Sequence, residues 1–155
     1  RITALALLGT DAGGPTAVLA GPDVWSRLTD STGSDREQAT RLLGVLFPPP
    51  LAAELDAQVG DLVAQGRAAL DHRVLRAQEA AMVVWHATEP EPVPAGAPRT
   101  LVACGELDEV IPAANAKLIA DRWSAPDPVT YADGGHAFMA QVPDDLAARL
   151  TEHLS

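Results

Sequence analysis

The chain has 155 residues, of which 47% are hydrophobic and 21% charged, a composition typical of a globular protein and not of a disordered one. Its net charge of −10 disfavours binding to nucleic acid or to an anionic membrane surface, so we expect neither partner. A single cysteine, Cys104, excludes an internal disulfide, and the histidines show no metal-ligand spacing, so we predict no metal site and no cofactor.

The sequence contains no stretch that is apolar over enough residues to span a bilayer, and we expect a cytoplasmic location. The chain is rich in alanine, and Lys117 is its only lysine, which is typical of a GC-rich bacterial genome. It begins with Arg1 and not with methionine. We therefore expect a processed chain or a piece of a longer protein.

Residues 1–22 are predicted to form a core strand followed by a loop. The apolar run from Ile2 to Leu8 is closed by Gly9, and a second glycine-rich stretch begins at Gly13. Such a run between glycines is typical of a strand that is buried on both faces of a sheet.

Residues 23–90 are predicted to form a helical cap or lid. Ser34 and Glu37 have the spacing of a capping box, and the proline run at residues 48–50 ends the helix that they begin. Three apolar stripes follow at helical spacing: Ala39, Leu42, Leu43, Leu46 and Phe47; then Leu51, Leu55, Val59, Leu62 and Val63; then Leu70, Val74, Ala81, Met82 and Trp85. We expect these stripes to face the core, and a substrate-lining lid is the alternative that the pattern leaves open.

Residues 91–155 are predicted to return to the core and to alternate strand and helix. A proline-rich connector at 89–98 precedes a buried strand at 100–104, and Pro112 begins a helix that runs to about Trp123. A short strand at 129–132 follows. Pro143 then begins a last helix, whose buried stripe is formed by Leu146, Leu150 and Leu154. This order predicts parallel strands joined by crossover helices.

An acid and a histidine follow the two strands of this last segment. Asp108 lies just past the first strand and His136 just past the second, 28 residues later. Because parallel strands end at the same edge of a sheet, we expect the two side chains to meet there. A carboxylate bonded to one imidazole nitrogen leaves the other nitrogen free to act as a general base. Gly134 and Gly135 are expected to let the backbone turn sharply before the histidine.

Taken together, GELDEVIP at 105–112 and GGHAF at 134–138 resemble the acid and histidine segments of the α/β-hydrolase fold. ALALLGT resembles the preceding core strand of that family, the helical middle resembles its inserted cap, and PDDLAARLTEHL resembles its final helix. The resemblance implies the C-terminal part of an α/β fold, with about three parallel strands, crossover helices and a helical cap. It also implies Asp108 as the triad acid, His136 as the triad base, and a small-molecule substrate.

The nucleophile that such a triad requires is not found in this sequence. The family carries it on an upstream G-x-S-x-G turn, a motif that is absent here. The serines present, Ser26, Ser31, Ser34, Ser124 and Ser155, lie in helical, loop or terminal contexts. We therefore expect an esterase- or amidase-like hydrolase whose nucleophile (Ser, Cys or Asp) lies upstream of the chain, so that this segment alone is inactive. The alternative is a non-catalytic binding or assembly module of the same architecture.

The strand from Ile2 to Leu8 would have a neighbour on each side in the complete fold. Alone, it would form a long apolar edge, which proteins rarely leave uncovered. We therefore expect it to pair with the N-terminal half of the same fold or with a second copy of the chain.

Other residues compete for functional roles. Asp11 follows the first strand, where some relatives of the fold place their acid, and is the alternative to Asp108. Phe138, Met139 and Trp85 are expected to be packing residues, with pocket lining as a second possibility.

The remaining acid and histidines are expected to be structural or exposed. Glu109 is adjacent to Asp108 but is expected to point elsewhere. His72 is expected on a solvated helix face, His86 at a helix C-terminus, and His153 exposed on the last helix.

Overall fold

The computed structural model describes residues 2–155, and its core is one parallel sheet. The strands are β1 (Ala4–Leu8), β2 (Arg99–Gly105) and β3 (Val129–Tyr131), in the order β1-β2-β3. Leu8 is paired with Ala103, and Ala103 with Val129, so the strands end close to one line. The predicted α/β class with three parallel strands is confirmed.

Seven helices connect and cover these strands. Four lie between β1 and β2: α1 (Pro22–Thr29), α2 (Asp35–Leu46), α3 (Pro49–Ala68) and α4 (His72–Ala87). Helix α5 (Ala114–Trp123) joins β2 to β3, and α6 (Phe138–Gln141) and α7 (Pro143–Leu154) follow β3. The region of 89–98 contains neither helix nor strand, as its prolines predict.

The core has two layers because alternate residues of β2 point to opposite faces of the sheet. On one face, Val102 and Cys104 pack against Ile119 and Ala120 of α5. The other face has a second cluster, formed by Ala103, Phe138 and Leu146. Helices on both sides of a parallel sheet bury its strands, which explains the apolar run of β2.

Three expectations for the core are wrong in detail. Strand β1 is half-buried throughout and not buried on both faces, because it lies at the edge of the sheet. Pro112 precedes α5, and Leu154 is exposed at the end of α7. The short helix α6 was not anticipated, because four residues carry no periodic pattern.

Helices α2 and α3 form the best-packed pair of the helical region. The predicted capping box is present, since Ser34 Oγ accepts from the Glu37 N–H and the Glu37 carboxylate accepts from the Ser34 N–H. Arg36 of α2 donates to the Asp56 carboxylate of α3 at 2.6 Å. Ala39 and Leu43 are buried, so the first apolar stripe faces the protein interior as predicted.

The second and third stripes are not the core-facing surfaces that we expected. On α3 the buried residues are the small ones, Ala52, Gly60 and Ala64, while Leu62 is exposed. No residue of α4 is fully buried, and Val74 and Trp85 are exposed. Apolar spacing identified the helices, but a close helix approach selects small residues for burial, and α4 covers a cavity instead of a packed core.

Among the described residues, no helix is both long enough and apolar enough to cross a membrane.

Candidate active site

The loops that follow β2 and β3 are joined by backbone hydrogen bonds. The Glu106 N–H donates to the Tyr131 carbonyl at 3.0 Å, and the Leu107 N–H donates to the Gly134 carbonyl at 2.9 Å. These bonds extend the contact between the parallel strands past their ends. They therefore fix where the next residues of each loop, Asp108 and His136, can place their side chains.

Asp108 is held by bonds to both of its carboxylate oxygens. Its side chain is 0% exposed. Oδ1 accepts from the N–H groups of Val110 at 2.9 Å and Ile111 at 2.8 Å, and Oδ2 lies 2.9 Å from His136 Nδ1. Two backbone donors and one imidazole satisfy a carboxylate that has no access to water, as a buried charge requires.

His136 has one ring nitrogen engaged and one available. Its side chain is 28% exposed, and Nδ1 is hydrogen-bonded to Asp108. Since a carboxylate can only accept, Nδ1 carries the proton, and Nε2 of the neutral ring is an acceptor. Nε2 has no hydrogen-bond partner within residues 2–155. The expected proximity of the acid and the histidine is therefore found, in the geometry of a general base held by an acid.

The glycines around this pair are required by the close approach of neighbouring backbone. Gly134 and Gly135 do not have positive φ angles. A Cβ at Gly135 would lie 2.6 Å from the Leu46 carbonyl oxygen, and one at Gly134 would lie 2.9 Å from the Cα of Gly105. The backbone does turn before the histidine, since the Gly134 N–H donates to the Tyr131 carbonyl at 2.9 Å, but this turn does not use the conformational freedom of glycine. The two glycines allow the end of α2 and the end of β2 to touch the histidine loop.

The end of β1 reaches the same place. Gly9 has φ +53°, and a Cβ there would lie 3.8 Å from Asp108 Oδ2 and 3.5 Å from the His136 carbonyl oxygen. The ends of all three strands thus surround the acid and the histidine, where open α/β sheets place their ligand sites.

Gln141 holds the histidine loop from the C-terminal side, a role that sequence reasoning missed. Its Oε1 accepts from the Gly135 N–H at 2.8 Å, and its Nε2 donates to the Asp133 carbonyl at 2.8 Å. The side chain, which lies after His136 in the chain, therefore bonds the two residues Asp133 and Gly135 that lie before it. No known sequence motif has this spacing between a glycine and a glutamine, so the contact could not have been predicted from the sequence.

Asp11, the alternative acid, is bonded to a different histidine. Its Oδ1 accepts from the Gly13 N–H at 2.7 Å, and its Oδ2 lies 3.3 Å from His86 Nε2. The carboxylate hydrogen-bonded to His136 is that of Asp108. Asp11 thus forms a turn with Gly13, and its pairing with the C-terminal turn of α4 was not anticipated.

The pocket-lining alternative is wrong for Phe138 in this structure. Its side chain is 0% exposed and stacks on Tyr131 with ring centroids 5.2 Å apart, so it belongs to the core. Met139 is exposed beside it. The exposed Trp85 ring covers Gly13, where a Cβ would lie 2.5 Å from the indole.

Other candidates lie away from the pair. Glu109 does point elsewhere and forms an ion pair with Arg27 at 3.0 Å. His72 is exposed, as expected. His153 is not exposed as predicted, because its Nε2 lies 3.0 Å from the Leu5 carbonyl oxygen at the start of the sheet. Burial, followed by the charges of Asp108 and Glu106, raises the pKa of Cys104, so its thiol stays protonated and is a poor nucleophile at neutral pH.

Asn115, on the buried face of α5, is a second residue that sequence reasoning missed. It accepts from the Val18 N–H at 2.9 Å and donates to the Val18 carbonyl at 2.7 Å. One amide thus satisfies both backbone groups of Val18 and fixes the loop between β1 and α1. A polar residue next to Ala116, on a face that also carries Ile119, was the available signal.

No family model and no curated protein sequence matches this chain. Its fold is similar to solved structures of hydrolases. A 2-hydroxy-6-oxo-6-phenylhexa-2,4-dienoate hydrolase from a Rhodococcus strain superposes with a TM-score of 0.74 at 18% identity, over 99% of this chain and 55% of the other. A meta-cleavage product hydrolase from Pseudomonas fluorescens gives a TM-score of 0.73 at 12% identity, over 99% and 56%.

A third similar structure is described by its fold alone. An alpha/beta hydrolase fold protein from Chitinophaga pinensis gives a TM-score of 0.69 at 19% identity, over 96% of this chain and 55% of the other. The chain therefore spans a little more than half the length of the structures that it resembles. At these identities the likeness concerns the fold.

Proposed function

We propose that this chain supplies the histidine and the acid of a catalytic triad. The premise is that the chain has the α/β-hydrolase fold, over the part that follows the nucleophile. The observation that carries the proposal is the hydrogen bond of 2.9 Å between His136 Nδ1 and the fully buried Asp108 carboxylate, with Nε2 left free. The hydrolase fold of its neighbours agrees with this role. The substrate would be a small molecule with an ester, amide or related bond.

In this mechanism His136 moves one proton between the nucleophile and the leaving group. Nε2 takes the proton as the nucleophile attacks the carbonyl carbon, and the resulting imidazolium is stabilised by Asp108. The imidazolium then gives the proton to the departing alcohol or amine. In the second half of the reaction, Nε2 takes a proton from water, which attacks the covalent intermediate. The imidazolium then returns this proton to the nucleophile as its bond to the acyl group breaks, and the acid is released.

The nucleophile would come from residues outside this chain. Among the described residues, no serine is hydrogen-bonded to His136: Ser34 caps α2, and Ser124 ends α5. The chain also contains no G-x-S-x-G turn. Helices α1–α4 would then form the cap over the complete site.

Covalent trapping tests this division of labour. We expect a fluorophosphonate probe and an activated nitrophenyl ester to react with the full gene product, at a residue outside positions 1–155, and not with the 155-residue chain alone. His136→Ala should abolish the reaction, and His72→Ala, which changes an exposed helix residue, should not. Labelling of a serine within the chain, or undiminished reaction in His136→Ala, would overturn the proposal.

Strand β1 has a free edge that suits the rest of such a fold. It pairs with β2 on one side only within the described residues. The Gly9 N–H donates to a carbonyl of β2, and the Thr3 carbonyl accepts from an N–H of β2. The backbone N–H and C=O groups of the odd-numbered residues of β1 therefore point toward β2. The backbone groups of Ala4, Ala6 and Leu8 therefore face the open edge. We propose that this edge pairs with a strand of the N-terminal half, or with a second copy.

We expect the isolated chain to self-associate through this edge. Ala6→Pro should reduce the association without unfolding the chain, because proline removes an N–H that faces outward. Leu7→Pro is the matched control, since it removes a bond to β2 and should unfold the sheet. Sedimentation velocity and circular dichroism measure the two effects, and a monodisperse monomer of the unmodified chain would contradict the expectation.

A further inference from the structure

A cavity of about 450 Å³ lies under α4, next to the acid loop and not lined by His136. Its volume falls within the range of small-molecule pockets. Residues from four parts of the chain line it, and most of them are apolar: Val18, Leu19, Trp25, Met82, Val110 and Ile111 among others. Val110 and Ile111 are the residues whose N–H groups hold Asp108, so the cavity and the catalytic pair share one loop.

The polar groups of the cavity are concentrated in one pair, Asp11 and His86. The Asp11 side chain is 3% exposed, and the His86 side chain is 14% exposed. Asp11 is fixed by the Gly13 N–H, and the Gly14 N–H donates to the Trp85 carbonyl at 3.2 Å. The loop and the end of α4 thus hold each other in place, so the pair is a built feature of the cavity wall.

The chemistry of this pair selects the ligand group that it can bind. His86 Nε2 faces the carboxylate and therefore carries a proton, while Nδ1 has no partner within residues 2–155. In a neutral ring Nδ1 accepts, and in a charged ring it donates. A hydroxyl group can serve as either partner. A carboxylate can only accept, so it cannot pair with Nδ1 of the neutral ring, where it would also face the buried carboxylate of Asp11.

We infer that this cavity binds the apolar part of a molecule that carries one hydroxyl group, and that His86, positioned by Asp11, recognises the hydroxyl. As a statement about the substrate, the inference rests on the proposed hydrolase function, because the cavity borders the loop of Asp108. As a statement about ligand binding, the inference depends only on the cavity and on the pair formed by Asp11 and His86. His86 is then a specificity-determining residue and not a second general base.

Binding of three matched probes tests the inference: phenylbutanol, butylbenzene and phenylbutyrate. Titrations use the 155-residue chain and the full gene product, and binding is measured by calorimetry and by the amide shifts of Val18 and Ile111. We expect phenylbutanol to bind about 2–10-fold more tightly than butylbenzene, the effect of one added hydrogen bond, and phenylbutyrate to bind most weakly. Equal affinities, or preference for the acid, would overturn the recognition of a hydroxyl.

Variants separate the cavity from the pair. Met82→Trp fills the cavity and should abolish binding of all three probes, while Val84→Trp, on the exposed side of the same helix, should not. His86→Phe should keep the binding of butylbenzene and lose the preference for the alcohol. His86→Phe leaves the buried Asp11 carboxylate without its histidine. If this unpaired charge impairs folding, the double variant Asp11→Asn with His86→Phe removes the charge as well. A preference that survives in either variant would contradict the assignment.

The two proposals fail in distinguishable ways. His136→Ala should leave probe binding unchanged, since this residue does not line the cavity. Hydrolysis by a protein that binds none of the probes would contradict the inference about the cavity and would leave the proposed triad unaffected. Probe binding by a protein that does not hydrolyse esters would support the cavity as a binding site and would contradict its role as a substrate site.

Discussion

In the triad that we propose, Asp108→Asn should lower kcat/KM of the full gene product by roughly 10³–10⁴-fold while leaving the fold nearly as stable as before. The asparagine oxygen can still accept from the N–H groups of Val110 and Ile111, which now hold Oδ1. Its NH₂ group, however, would face His136 Nδ1, which must then become an acceptor. The ring proton moves to Nε2, and the nitrogen that should take a proton from the nucleophile already carries one.

The tautomer itself can be measured without a substrate. Nitrogen-15 shifts of the His136 ring in the 155-residue chain should report a proton on Nδ1 in the wild type and on Nε2 in Asp108→Asn. Rates measured on the full gene product supply the catalytic half of the result. An unchanged tautomer, or a rate within a few-fold of wild type, would remove Asp108 from its assigned role.

Two further variants separate orientation from stability. Asp108→Ala leaves two backbone donors and the imidazole without an acceptor in a buried place, and should cost about 2–4 kcal/mol of unfolding free energy. Asp133→Asn, in the exposed part of the histidine loop, removes the same charge where the side chain makes no hydrogen bond within residues 2–155, and should change neither stability nor rate. If Asp108→Asn lowers the unfolding free energy as much as Asp108→Ala does, the role of Asp108 is structural only.

Gly105→Ala should be the most destabilising single methyl addition in the core, at about 3 kcal/mol or more. Gly105 ends β2, and the histidine loop passes directly over it. A Cβ there would meet the Gly134 carbonyl and would lie 2.5 Å from the Gly135 carbonyl oxygen. These are backbone atoms, so the contact can be relieved only by moving the loop that carries His136. We therefore expect loss of the bond between His136 and Asp108 as well as loss of stability.

Gly44→Ala is the matched control for this variant. Gly44 lies in α2, and a Cβ built there meets nothing within 4 Å. Alanine in an exposed helix position should stabilise the chain by about 0.5–1 kcal/mol, because glycine loses more backbone entropy on folding. Urea unfolding of both variants, with the His136 ring shifts as a local readout, tests the pair. A Gly105→Ala protein as stable as Gly44→Ala would show that the loop is free to move.

Much of the core could be predicted because its signals are local. Strand β2 was identified from one apolar run, α7 from Pro143 and the two aspartates that follow it, and α2 from the reciprocal spacing of Ser34 and Glu37. The meeting of Asp108 and His136 followed from these elements, since parallel strands with a crossover helix end at one edge. No contact had to be known in advance.

The helical region shows where local signals fail. Its helices could be identified from apolar spacing, but the spacing did not predict which residues are buried. Leu62 is exposed while Gly60 is buried, because α3 approaches α2 closely at its small residues, and the guanidinium of Arg36 covers Gly60. Helix α4 presents apolar residues to a cavity and to solvent, an arrangement that depends on what lies opposite the helix.

By itself, the sequence of this protein determined the class of fold, the order of its three strands and the pair formed by Asp108 and His136, because each depends on short-range pattern and on the handedness of strand connections. Only the tertiary structure decided that Asp11 pairs with His86, 75 residues away, and that Asn115 bonds Val18 and Gln141 closes the histidine loop. The physical reason is that hydrogen bonds and close backbone contacts across the chain depend on positions in space to within an ångström. Residue type and spacing do not specify such positions before the chain is folded.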